Sequence, residues 1–514
     1  MANKVMPQIK NVVFLMLENR SLDNLLGWLY YGNPPPLHVY PKNSPRDYDG
    51  LYPGRYFNPA YYREKFPPFR KKVKDYSVVP VPNGLGKNQD RVPAYDPYEE
   101  LRESGGGWNG VMNQLFGNQD EIKGLPQPPT TPHMLGFLQD YYADYMVDWK
   151  GLDILWTYTP SQVKHLNGLA YNFAVSDRWF CSVPSQTNPN RAFSLCGTSL
   201  GRESNLHKNA VEQFNVPTIF NGMASANKSW GLYFTDVWKN NLSYTEYTFP
   251  QISNVKSAGE TGPISKFFER AKAGTLPDFT YLEPEWGYGK GTIYKQGTDF
   301  HPPSHILPGD HFVHQVYLAL RKSPQWQDTL LIITFDEHGG TYDHRNPLWG
   351  AINPDGKISK NGFNFNLFGA RVPTLLISPF VNGRTVFRAP EKSQFPFDHT
   401  SFIKTLLNWA GTDMSKFNFE KRVPQAPMFD GVLESTHVND AGEELEIPPG
   451  PEPGSIDSIE DIEGKSPPEG QAVNDLFEGV EFWATRAIIQ KNDTIEGIKA
   501  DIERHKQDPD WEIL

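Results

Sequence analysis

Residues 329–344 read TLLIITFDEHGGTYDH, and the fold turns on how that stretch begins and ends. Thr329 to Phe335 is an uncharged run rich in Leu, Ile and Thr, halted by two adjacent carboxylates, Asp336 and Glu337. A short apolar run with many β-branched residues predicts a strand buried on both faces, as in a parallel sheet covered by helices. Gly339 and Gly340 then permit a sharp turn, because glycine tolerates positive φ. Two acids therefore stand at the carboxyl end of a buried strand, where open α/β sheets place their ligands. Neighbouring carboxylates repel, and a cation between them is the simplest relief. A solvated loop would also accept them, so the rest of the chain decides.

The same pattern occurs at the start. Val12 to Leu17 is apolar and stops at Glu18-Asn19-Arg20-Ser21, where Ser21 or Asp23 is placed to cap a helix through Leu25 and Leu26. Helical spacing returns with Val163, Leu166, Ala170 and Phe173, and residues 217–226 read as a helix before a strand from Trp230 to Phe234. Short strands are expected at Phe279 to Leu282 and Thr374 to Ile377. Helices are expected over Met134 to Tyr145, after Asp310 as a cap, and over Thr400 to Ala410 with Gly411 closing it. Strands alternating with helices over so long a chain predict a mostly parallel α/β sheet covered on both sides.

At 514 residues the chain can form one enlarged domain with appendages. A catalytic domain is expected over 1–430, with a Pro- and Tyr-rich insertion at about 30–130. An acidic Pro-rich linker, or a chain draped over the surface, follows at 431–470, and a helical segment at 471–514 could dock on the body or bind a partner. The net charge is −11, but residues 441–470 hold nine acids and one lysine. The remainder is near neutral and has no basic stripe, so no nucleic-acid partner is expected. No apolar run is long enough to span a bilayer. No signal peptide is evident, which fits a cytoplasmic protein or one exported by a specialised secretion system. Cys181 and Cys196 are too few for a disulfide framework and read as two buried free thiols.

Glu18 and Asn19 end one strand, and Asp336 and Glu337 end another. Together they offer only oxygen donors, suited to a hard or borderline divalent cation. Between them lies SVPSQTNPNR (182–191), where Thr187 sits among turn formers and Ser185 competes for the same role. A hydroxyl needs a base or a metal to attack, and no Ser-His-Asp order is evident. His301 is fixed by Pro302 after it, which suits a group aimed at a phosphate oxygen. Of the thirteen histidines, His338, His344 and His399 are further candidates, His399 being equally explained by the helix start beside it.

ENRS after the first strand, SVPSQTNPNR, HPP, SPQW, DEHGGTYDH and DHTS, in that order over residues 8–412, resemble the phosphoesterase family. That family contains bacterial phospholipases C, plant non-specific phospholipases C and acid phosphatases, within the alkaline-phosphatase-like superfamily. The resemblance implies an alkaline-phosphatase-like α/β/α sandwich and metal-dependent phosphoester cleavage. By motif position it implies Glu18, Asn19, Asp336 and Glu337 as ligands to one or more divalent ions (Ca, Mg, Mn or Zn). Thr187 matches the nucleophile that becomes phosphorylated, and His301 matches a histidine near the phosphate. Leu22 and Asn24 stand where the family commonly has Phe and His, and His305 where bacterial relatives often have an acid. The expected activity is a phospholipase C acting on the glycerol-side phosphodiester of phosphatidylcholine-like lipid at a membrane surface. Its rivals are an acid phosphatase on soluble monoesters and a catalytically silent binding or effector protein.

Overall fold

The structure is a computed structural model. It describes residues 5–452 apart from 33, 64–69, 81–109, 118–130, 139, 141–151, 208–209, 212, 238–241, 291–292, 296, 303–305, 361, 418 and 420. Among the described residues the main sheet has nine strands: β1 (Asn11–Leu17), β2 (His38–Tyr40), β3 (Ala174–Ser176), β4 (Trp230–Phe234), β5 (Gly259–Pro263), β6 (Phe279–Leu282), β7 (Thr329–Phe335), β8 (Thr374–Ile377) and β9 (Thr385–Phe387). Their spatial order is β5-β4-β6-β1-β7-β8-β3-β9-β2. Every pairing is parallel except the two made by β8, which runs against β7 and β3. The mostly parallel α/β architecture expected from the alternating pattern is the one the chain adopts.

The helices that matter here are α1 (Leu22–Leu26), α2 (Gly110–Phe116), α3 (Lys164–Asn172), α4 (Thr187–Cys196), α5 (Ile219–Ser225), α6 (Tyr244–Thr248), α7 (Ile264–Ala273), α8 (Ile306–Arg321) and α9 (Thr400–Ala410). Alternation along the strands divides them into two layers. Phe14, Phe279 and Tyr281 point to one face, where Phe14 meets Phe402 of α9 and Phe220 of α5 packs on Phe279 and Tyr281. Tyr233 points to the other face and meets Phe267 of α7, which packs on α8, which in turn packs on α3. Each such side chain, fully buried, contributes about 1.5–3 kcal/mol. β1 and β7 lie at the centre, every residue buried. Their register pairs Leu17 with Phe335, so Glu18 and Asp336 leave the sheet side by side.

Several local expectations hold. Ser21 caps α1, its Oγ accepting the Asn24 N–H at 3.1 Å. Gly411 closes α9 with φ 79°. Both cysteines are buried and free. Asp310 does not cap its own helix, because α8 already begins at Ile306. Its carboxylate accepts the N–H groups of His165 and Leu166 at 3.0 and 2.8 Å, capping the start of α3, which has no side-chain cap of its own.

The described part of the acidic stretch is draped over the body. Tyr317 donates to the Gly442 carbonyl at 2.6 Å, Arg321 Nε to Ala441 at 2.9 Å, and Asn172 to Glu446 at 2.8 Å. The C-terminal segment 471–514, half of the expected helix 134–145 and much of the insertion lie outside the described residues.

Candidate active site

Two strand ends supply the acids, and their loops are laced together. The Asn19 N–H donates to Asp336 Oδ1 at 3.0 Å. Ser21 N–H donates to Thr341 Oγ1 at 2.9 Å, and Ser21 Oγ to the Tyr342 carbonyl at 2.5 Å. The buried Arg371 guanidinium bonds Asp23 at 2.9 Å and Asp343 at 3.0 Å, one acid from each loop. Asn19 has φ 49°, a left-handed conformation that asparagine accepts more readily than most residues. Gly339, at φ 60°, passes so close that a Cβ there would lie 2.3 Å from the Asn19 carbonyl oxygen. The first glycine of DEHGG is thus required by contact as well as by dihedral.

The third element is α4, which opens on Thr187. The preceding turn is held by Asn190, whose Nδ2 donates to the carbonyls of Val183, Ser185 and Gln186 at 3.2, 2.8 and 3.2 Å. Thr187 is fully buried, and its Oγ donates to Glu18 Oε2 at 3.1 Å and lies 3.3 Å from Asn19 Oδ1. The helix N-terminus beneath it favours negative charge at this hydroxyl. The competing Ser185 donates to the Glu203 carbonyl at 2.6 Å.

One functional residue escapes a reading of the sequence. Arg191 lies one helical turn beyond Thr187, which places both on the same face of α4. Its Nε donates to Glu18 Oε1 at 2.8 Å, a second guanidinium nitrogen is in very short contact with the same oxygen, and the Tyr281 hydroxyl accepts at 3.0 Å. The group also stacks over Trp286, 5.0 Å from the ring centre. Burial opposes its charge, but Glu18 and Asp336 more than offset this and hold it protonated. Burial pushes the Glu18 carboxyl up, Arg191 opposes that, and Asp336 and Asp299 add to the rise. Asp299 is buried, accepts the N–H groups of Gly287 and His301 at 2.8 and 3.2 Å, and is pushed up to about 7 by burial.

His301 faces Asn19. Its Nδ1 is 2.5 Å from the Pro302 carbonyl and its Nε2 is 2.7 Å from Asn19 Nδ2. A carbonyl only accepts, so Nδ1 carries the hydrogen and Nε2 accepts from the amide. That fixes Asn19 with its Oδ1 towards Thr187. Burial holds the His301 imidazole down at about 3, hence neutral. The other candidate histidines have partners of their own. His338 donates to Gln114 of α2 at 2.7 Å, His344 bonds Asp23 at 2.6 Å, and His399 donates to the Asp336 carbonyl at 2.6 Å.

Glu18, Asn19, Thr187, Asp336 and His301 therefore lie together. Glu337 adjoins them, with its Oε2 accepting the Gly339 N–H at 2.6 Å. Among the described residues no three His, Cys, Asp or Glu side chains are close enough to hold a metal by themselves. An oxygen set completed by Asn19 and Thr187 does fit one. Asp336 Oδ2 is buried with no hydrogen-bond partner, and the nearest guanidinium nitrogen, Arg191 Nε, is 3.7 Å away. A buried carboxylate oxygen left in this way is a natural ligand for a hard cation.

Residues 9–410 match the Phosphoesterase family. The chain belongs to it. Non-specific phospholipase C1 of Arabidopsis thaliana is 32% identical over 452 residues, covering 83% of this chain and 74% of that protein. Non-specific phospholipase C6 of the same plant is 33% identical over 413 residues, with 78% and 68% covered. Phospholipase C A of Mycobacterium tuberculosis is 23% identical over 440 residues, with 77% and 72% covered. Overlap with solved structures is looser. A protein in the alkaline phosphatase superfamily from Vibrio parahaemolyticus gives a TM-score of 0.28 at 14% identity, covering 48% of this chain and 60% of that one. The lipoteichoic acid synthase LtaP from Listeria monocytogenes gives 0.30 at 13%, with 52% and 70% covered.

Proposed function

We propose that this phosphoesterase is a phospholipase C that cleaves the glycerol-side phosphodiester of phospholipids, with Thr187 as nucleophile. The observation that carries the reading is the Thr187 hydroxyl, buried at a helix start and donating to Glu18 Oε2 at 3.1 Å beside Asn19 Oδ1. The names of its relatives, phospholipases C from a plant and from bacteria, favour the diester over a monoester.

In this mechanism Thr187 Oγ attacks phosphorus in line while its proton passes to Glu18 Oε2. The Oγ–P bond forms, the bond from phosphorus to the glycerol oxygen breaks, and diacylglycerol departs with a proton from solvent. Water then attacks phosphorus, the new O–P bond forming as the Oγ–P bond breaks. Glu18 returns its proton to Thr187 Oγ, the attacking water gives up a proton to solvent, and the phosphorylated head group is released. Arg191 holds Glu18 in place, and His301 holds the Asn19 amide so that Oδ1 faces the nucleophile. This gives His301 an orienting part, since its ring hydrogen is engaged with Pro302. A divalent ion held by Glu18, Asn19 and Asp336, when bound, would supply positive charge at the Thr187 oxygen and at a phosphoryl oxygen. Glu337, expected as a fourth ligand, is not grouped with the other two acids.

Turnover of phosphatidylcholine and of para-nitrophenyl phosphate should be compared for the purified protein, before and after chelation and on adding back Ca, Mg, Mn or Zn. Diester turnover that chelation removes and one ion restores is the expected result. Preference for the monoester would overturn the lipase assignment. Thr187→Ala should abolish turnover with the thermal melt unchanged, and an active variant would remove Thr187 from the mechanism.

A further inference from the structure

Because every sheet strand but β8 runs the same way, the segments after β1, β4, β6 and β7 all leave from one end of the sheet, the end that carries Glu18 and Asp336. Residues 338–373 begin after β7 and return to the start of the antiparallel β8, so this excursion both leaves from and returns to that end. The segment around residue 50 is tied there as well. The Asp49 N–H donates to Asp177, which follows β3, and the Tyr56 ring stacks on His344. Helix α8 descends towards the amino end of β7, so its first turn is also at the catalytic end.

The large apolar side chains left exposed are distributed unevenly with respect to this axis. Among the described residues there are nine: Leu37, Tyr52, Phe57, Val237, Leu307, Leu348, Ile358, Val438 and Ile447. Six of them, Tyr52, Phe57, Val237, Leu307, Leu348 and Ile358, are on the segments just placed at the catalytic end. Leu37 precedes β2 at the other end, and Val438 and Ile447 belong to the draped acidic stretch. Exposed apolar groups scattered singly are ordinary, but six of the nine lying on segments that leave from or return to one end of the sheet point to that end as an interaction surface.

Charge indicates what covers it. Ile358, 64% exposed, is flanked by the exposed Lys357 and Lys360. Residues 345–366 carry three bases, Arg345, Lys357 and Lys360, against one acid, Asp355, in a chain whose net charge is −11. Arg345 is paired with Asp49 at 3.2 Å, so the positive charge facing outward is that of Lys357 and Lys360. Asp355 is occupied by the Thr198 hydroxyl at 2.8 Å. A locally basic, apolar-tipped loop on an acidic protein complements negatively charged head groups lying over hydrocarbon.

We propose that this rim docks on an anionic phospholipid surface, with Leu348 and Ile358 entering the boundary between head groups and acyl chains and Lys357 and Lys360 meeting the phosphates. The proposal rests on the phospholipase C reading for its biological sense, since the bond to be cut lies at the same depth. Docking itself requires no turnover.

The test uses full-length Thr187→Ala protein floated with vesicles of phosphatidylcholine alone or with phosphatidylserine added. Binding should be stronger on the anionic vesicles. In the same background Leu348→Asp with Ile358→Asp should lower the bound fraction at least tenfold on both. Lys357→Glu with Lys360→Glu should lower it by about fivefold or more per lysine on anionic vesicles only. All four residues are surface groups away from the nucleophile, so in the active protein both pairs should turn over a soluble short-chain phosphodiester within twofold of the parent. Vesicle binding within twofold of the parent in both variants would overturn the docking surface, whatever the enzyme hydrolyses. A parent that binds in this pattern but hydrolyses no phospholipid would overturn the lipase reading and leave the surface standing.

Discussion

Gly339→Ala tests whether the contact between the two acid-bearing loops sets the catalytic geometry. The substitution carries two separable costs. At φ 60° an L side chain costs about 1–2 kcal/mol relative to glycine. The new Cβ would also lie 2.3 Å from the Asn19 carbonyl oxygen and 2.7 Å from Asn19 Cβ, which ordinary contact distances convert into a displacement of about 1 Å. Gly411→Ala supplies the control, because Gly411 has φ 79° and nothing within 4 Å of its Cβ position. The control should lower the melting temperature by a few degrees and leave turnover unchanged. Gly339→Ala should add the displacement of Asn19 Oδ1 from Thr187, and misplacement of about 1 Å costs on the order of 100-fold in rate. Measuring kcat, KM and thermal melts for both on a soluble phosphodiester separates the terms. Gly339→Ala with kcat within threefold of the parent would refute the view that this contact holds the nucleophile's partner in place.

Arg191→Met removes the charge paired with Glu18 in a fully buried site. Breaking such a pair costs about 3–5 kcal/mol, so both melting temperature and kcat should fall, and a thermal melt alongside kinetics checks it. His344 is opposed by burial, but Asp23 and Asp49 more than offset that and push its pKa up to about 9. The folded pKa exceeds the unfolded value of about 6.5, so up to about 3 kcal/mol of stabilisation is complete below that value and is lost as pH rises through 9. Denaturant unfolding across pH 6–10 should show the slope, and His344→Gln should flatten it. Asp310→Ala removes the cap on α3 and should cost about 1 kcal/mol in unfolding experiments with kcat unchanged.

How much of the structure is legible in the sequence depends on how local each signal is. β1 and β7 are unbroken apolar runs ending in acids, and a central parallel sheet forces that pattern on any sequence occupying it. β5 is GETGP, two glycines and a proline, and carries no such pattern. It is an edge strand, defined by the backbone of β4 beside it. A capping rule gives Asp310 to the wrong helix because it considers only the residues immediately after it. The unpaired N–H groups that Asp310 satisfies belong to α3, some 145 residues earlier. Arg191 is visible in the sequence as a residue and invisible as a role. Its function depends on residues 187–191 being helical, because only then does the four-residue spacing put Thr187 and Arg191 on one face.

The pairing of Leu17 with Phe335 explains why motifs separated by more than 300 residues can still be read as one site. Two adjacent parallel strands that end level deliver the residues beyond them to the same point, so the intervening chain is irrelevant to that convergence. It does not determine what each delivered group faces, and Asn19 shows the difference. Its amide donates to a neutral His301 Nε2 while its carbonyl oxygen faces Thr187, a double task that needs one donor and one acceptor on the same planar group. An aspartate would set its oxygen against the His301 lone pair and add a charge beside Glu18, Asp336 and Asp299. The neutral member of the expected oxygen set is neutral for that reason, and the choice is enforced by a histidine that enters from a third segment of the chain.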